Sequence, residues 1–94
     1  MRDDAPDHVR LTLPPDGELR GVVEVAVAVL ARRLGLGDES VREIRSASGQ
    51  AFDDACTGGD GPEVDVVVAL AERELAVSIQ AGSVDRHLSA VRST

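Results

Sequence analysis

Along this chain the apolar positions change period several times, and each change marks an element. His8 to Leu13 alternates, with Val9, Leu11 and Leu13 on one side, the pattern of a half-buried strand. Pro14, Pro15, Asp16 and Gly17 stop it. Leu19, Val22, Val23, Ala26, Val27, Leu30 and Leu34 then recur at helical spacing and predict the apolar stripe of a long first helix, with Asp16 as its N-cap. Its many valines give weak intrinsic propensity, so packing must hold it. Arg32 and Arg33 fall in the last turn, where cations suit the helix dipole. Gly35 is placed as the left-handed cap, with Leu36 folding back over it.

A second helix opens at Gly37-Asp38, with Asp38 as expected N-cap and Glu39 in the first turn. Val41, Ile44, Ser48, Ala51, Phe52 and Ala55 form its inner stripe, and Thr57-Gly58-Gly59 ends it. After a loop from Gly58 to Pro62, Glu63 to Gln80 reads as a β-hairpin. Val64, Val66, Val68 and Leu70 alternate, Ala71-Glu72-Arg73 turns, and Leu75, Val77 and Ile79 alternate again. From Ser83 onward, Val84, Leu88 and Val91 return to helical spacing, which predicts a short helix or frayed end over 83–94. Residues 1–8 read as a disordered acidic lead, and 9–82 as the folded domain. The order β-α-α-β-β predicts an α/β protein of the α+β two-layer sandwich type. Two helices share one face of a small, largely antiparallel sheet, because each element has one apolar side. The first strand comes from far away in sequence and is a candidate edge.

Composition narrows the function classes. A chain of 94 residues holds one domain, and its single Phe, with no Tyr or Trp, makes the core aliphatic. The formal charge is −7, and all 10 basic residues are Arg. Such a surface repels phosphate backbones and anionic lipid, so neither nucleic acid nor membrane is an expected partner; a basic or neutral protein surface suits it better. The Arg, Ala, Val and Gly bias suggests a GC-rich bacterial genome. Cys56 is the lone cysteine, so no internal disulfide forms. The acidic start has no apolar run like a signal peptide, and Val25 to Ala31 is too short to span a bilayer. A cytoplasmic protein is expected.

Chemistry-bearing residues are sparse. Gly58-Gly59-Asp60-Gly61 lacks the Lys-Ser or Lys-Thr of a phosphate loop and precedes a strand, so it reads as a turn. His8 and His87 are far apart, with no second ligand at metal spacing, and read as surface residues. Cys56 has no cation nearby in sequence and reads as structural or incidental. Asp53-Asp54 is an acidic pair near a helix C-terminus, where the dipole disfavours anions.

Leu11-Thr12-Leu13-Pro14, a helix ending Leu30-Ala31-Arg32-Arg33-Leu34-Gly35-Leu36, and the run Val41 to Cys56 together resemble the GHKL (Bergerat-fold) ATPases, nearest to the bacterial anti-sigma factor serine kinases. The resemblance covers roughly 9–82. In that family the second helix carries a catalytic Glu and, four residues on, an Asn that binds magnesium. The matching positions here are Gln50 and Asp54. A neutral amide is no general base, whereas Asp54 could still offer an oxygen to magnesium. The plainer reading is that both residues simply lie on the solvated side of the helix. The family's adenine-reading Asp-x-Gly matches Gln80-Ala81-Gly82, which keeps the glycine and loses the acid. The lid, the glycine-rich phosphate loop and the closing strands have no counterpart. The resemblance therefore implies a degenerate member with no cofactor: a non-catalytic regulatory module that binds a sigma factor, an anti-anti-sigma protein or a related signalling protein. It also implies a homo- or heterodimer contact through the first strand and helix, including Arg10, Asp16, Arg20 and Glu24. An active ATP-binding serine kinase or ATPase with unusual site residues is the alternative, and a subunit that completes another protein's sheet is a third.

Overall fold

The computed structural model describes residues 7–92. The elements are β1 (Asp7–Leu13), a 3₁₀ turn (Gly17–Leu19), α1 (Arg20–Leu34), α2 (Asp38–Gly58), β2 (Val64–Leu70), β3 (Glu74–Ala81) and β4 (Val84–Val91). The four strands form one sheet in the order β1-β2-β3-β4, every neighbour antiparallel, so β1 and β4 are the edges. This is the two-layer α+β arrangement read from the sequence, with one more strand.

Register explains the layers. Leu11 stands opposite Val66, Val66 opposite Ile79, and Val77 opposite Leu88. Side chains alternate across a strand, so these share one face with Val64, Val68 and Leu75. Both helices lie on that face, α1 over β2 and β3, α2 over β3 and β4. Phe52, the one aromatic residue, is fully buried between the layers. The opposite face of the sheet is covered by no described element. Antiparallel sheets tolerate this when that face carries polar or small residues, as Thr12, Asp65, Ala76 and Ser78 do here.

The helix ends follow from local chemistry. Asp16 accepts a hydrogen bond from the Glu18 amide at 2.9 Å and caps the 3₁₀ turn that leads into α1. Gly35 takes φ 95°, and the Leu36 amide reaches back to the Ala31 carbonyl at 3.1 Å, which buries Leu36 as expected. For α2 the N-cap is Gly37 and Asp38 is the first helical residue, one position earlier than the sequence suggests.

Three expectations change. The short helix or frayed end expected over 83–94 is instead a strand where the chain is described: Val84–Val91 form β4, and residues 93–94 lie outside the described residues. Val84, Leu88 and Val91 do fit helical spacing. The strand instead turns Val84, Arg86, Leu88 and Ala90 toward the helices, and Arg86 hides the alternation. The Gly82-Ser83 pair, with Gly82 at φ 62°, makes the two-residue hairpin turn that joins it to β3. The stripe of α1 also shifts: Val23, Val27, Ala28 and Ala31 are buried, Leu30 is half-buried, and Val22 points outward. The acidic lead expected over 1–8 lies outside the described residues as far as residue 6, while Asp7 and His8 already belong to β1.

Candidate functional site

The seam between the helices is the most organised polar cluster. Arg20, in the first turn of α1, donates from Nε to Glu24 Oε2 at 2.8 Å and from Nη1 to Asp53 on α2. These two carboxylates, Glu24 first, hold the guanidinium above its ordinary pKa. Gly49 leaves the room: a Cβ there would stand 2.3 Å from Glu24 Oε2 and 2.6 Å from Arg20 Nε. The anion that sequence flagged near the helix C-terminus is thus accounted for, since Asp53 answers an arginine from α1. Its neighbour Asp54 points elsewhere and accepts from Gln50 Nε2 at 3.2 Å.

The positions that match a nucleotide site are not brought together. Gln50 and Asp54 lie on the outer pole of α2, exposed and bonded to each other. Gln80 lies on the other side of the molecule: Leu75, Val77, Ile79 and Ala81 face the helices, so Gln80 faces out from the open face of the sheet. Gly82 sits in the β3–β4 turn, where the chain itself closes in. Asp60 Oδ1 accepts from the Ser83 amide at 3.0 Å, and a Cβ on Gly82 would meet that oxygen at 1.7 Å.

The expected partner-binding residues fall in two places. Asp16, Arg20 and Glu24 belong to the start of α1 and the helix seam. Arg10 is on the open sheet face and donates to Asp65 Oδ2 at 3.0 Å. Thr12 donates to the other oxygen of Asp65 at 2.9 Å, and together these bonds, Thr12 first, hold the Asp65 carboxyl below its ordinary value. Arg20 is a helix-to-helix tie, so a charge reversal there would disturb packing as well as any surface.

Sequence reasoning missed one juxtaposition. Ser78 Oγ lies 3.2 Å from His87 Nδ1, and His87 Nε2 lies 3.2 Å from Asp85 Oδ1, all on the open face. The signal is the alternation of Asp85 and His87 along β4 opposite Ser78. A serine, histidine and aspartate in line suggest nucleophilic catalysis. Their side chains sit on a flat surface, with His87 69% and Asp85 52% exposed, where water screens developing charge. The arrangement is a cross-strand polar pair. Nor is Cys56 activated by its surroundings: burial first, then Asp53 and Asp16, push its thiol up from its ordinary pKa.

A scan against protein-family models finds no match to this chain, and a search of curated proteins finds none. Among the described residues no cluster of His, Cys, Asp and Glu could hold a metal ion, and no helix is long and apolar enough to cross a membrane.

Proposed function

We propose that this protein is a non-catalytic binding module whose docking surface is the outer face of α1 and the adjoining edge strand β1. The observation that carries the reading is a ridge of valines in water. Val22, Val25 and Val29 recur at helical spacing and are 46%, 62% and 48% exposed, and Val9 on β1 is 37% exposed. Half-buried Ala26 and Leu30 lie on the same helix flank. A helix that only had to cover the sheet would put polar residues there. An exposed contiguous apolar ridge marks a contact site. With a net charge of −7, the fitting occupant is a protein surface with an apolar groove and a basic rim.

The likeness of residues 9–82 to anti-sigma factor kinases gives this surface a biological setting: a sigma factor, an anti-anti-sigma protein or a related cytoplasmic regulator as partner. Two features support binding over nucleotide chemistry. Gln50 and Gln80 stand where the family uses acids, and they face opposite sides of the molecule. Asp60 also occupies the approach to Gly82. The test is a pull-down from the source cells with the parent and with a Val25→Glu/Val29→Glu variant, alongside a melt with millimolar ATP and Mg²⁺. The reading expects an identified regulator captured only by the parent, and no shift of the melt with nucleotide, since a ligand stabilises only by binding the native state. Equal capture by both proteins moves the surface off α1. A shift of several degrees with nucleotide restores the kinase alternative.

A further inference from the structure

The other edge of the sheet is built differently. β4 is as long as β3 and regular, and no described element pairs with its outer side. Helix α2 overhangs it, leaving a groove of about 350 Å³ whose walls include Glu43, Ile44 and Ala47 on the helix and Leu88 and Ala90 on the strand. A long uncovered edge is a template for another strand unless something blunts it. Arg86 is the residue that would blunt it. It stands opposite Ile79 and so turns its charge toward the helix side of the edge. Neither Arg86 nor Glu43 has an ion-pair partner among the described residues.

We propose that β4 is a self-association edge, on which two copies pair antiparallel about Leu88 and join their sheets into one, with four strands from each copy. Register selects this pairing. With Leu88 on the two-fold axis, Arg86 stands opposite Ala90 of the second copy, His87 opposite Ser89, and Asp85 opposite Val91. No like charges oppose one another. Ala90 shares the groove wall with Glu43, so Arg86 of each copy meets Glu43 of the other, twice by symmetry. Within one chain the positions of Arg86 and Ala90 are four strand residues apart, roughly 13 Å, too far for Arg86 to reach Glu43. Across the paired edge, facing residues are only about 5 Å apart. The two leucines meet at the mouth of the groove, over Ile44 and Ala47. A register centred on Arg86 would oppose two guanidinium groups, and one centred on His87 would oppose two imidazoles. The surface is at the opposite sheet edge from β1, so it can act while α1 holds another partner.

The test uses the full chain and light scattering across a concentration series. The expected mass is twice 9.8 kDa. Glu43→Arg and Arg86→Glu should each weaken the dimer about tenfold or more, because each sets like charges against each other in both halves of the contact, and the combined E43R/R86E protein should recover it. Both residues are exposed, so circular dichroism should stay native in every variant. Amide exchange on β4 should slow as parent concentration rises. A parent that remains at 9.8 kDa to its solubility limit overturns the proposal. So does a dimer that E43R and R86E leave intact, and if V25E/V29E dissociates that dimer the contact belongs to α1.

Discussion

The two helices lie side by side on the same sheet face, yet their outer surfaces have little in common. Helix α2 faces the solvent with Arg42, Glu43, Arg45, Ser46, Gln50 and Asp54, and every large apolar side chain it carries is turned inward. Helix α1 faces the solvent with Val22, Val25 and Val29 as well as Arg32 and Arg33. Both inner faces do the same work: Val23, Val27 and Ala31 on one and Ile44, Ala51 and Phe52 on the other close the core. The fold therefore requires only one face of each helix. What remains on the outside of α1 is apolar surface that folding does not explain, and the partner proposed above would cover it.

The inner face of α2 depends most on Phe52. Phe52→Ala should cost about 3–5 kcal/mol by chemical denaturation, since a fully buried aromatic leaves a cavity. Against a total of about 5–10 kcal/mol, that loss would leave a marginal protein. A small change would mean that α2 contributes less to the core than its burial implies.

Next comes Ser48, buried at 0% exposure, with a hydroxyl that has no hydrogen-bond partner among the described residues. Ser48→Ala removes a desolvated polar group and improves helix propensity, so it should raise stability by about 1 kcal/mol. A loss of stability would show that the hydroxyl has a partner, and that the inner face of α2 is less purely apolar than described.

On α1 the expectation is near silence. Val25→Glu and Val29→Glu should each change stability by less than about 0.5 kcal/mol, as surface substitutions do, while removing partner capture. A drop of several kcal/mol in the isolated protein would mean that the valines support the fold, and the contrast between the helices would fail.

The smallest effect serves as a baseline from neither helix. Thr12 and Arg10 lower the pKa of Asp65, so its contribution to stability is fully present above the ordinary carboxylate pKa of about 4 and is lost as pH falls through its lower folded value. In parallel acid titrations, Asp65→Asn should therefore be less stable than the parent at neutral pH and converge with it in acid. Equal curves throughout would show that the pair is too solvated to matter.

What could be read in advance depended on range. β1, the first hairpin and the Gly35 cap were legible because each is written in a short window: alternating apolar residues, a turn, a glycine at the right offset. β4 is hidden from a local reading because Val84, Leu88 and Val91 satisfy a helical period while Arg86 interrupts the strand period. The Gly82-Ser83 turn was the signal that should have decided it. The outward placement of Gln80 was also available, since Leu75, Val77 and Ile79 force it. The Arg20–Asp53 tie was not, because it joins residues 33 apart through packing that no local pattern encodes. Its one trace is Gly49, a glycine in mid-helix.

The two hairpin turns differ in how they are held. Ala71, Glu72 and Arg73 are all exposed, and the Ala71 amide closes the turn on the Glu74 carbonyl at 2.8 Å. The Gly82-Ser83 turn is gripped by Asp60 from the loop after α2, and Gly61 lies 3.0 Å from where a Gly82 Cβ would be. For anyone attaching a fluorophore or an affinity tag inside the chain, the first turn is the permissive place, beside Glu72. The second would have to release Asp60 before it could lengthen by even one residue.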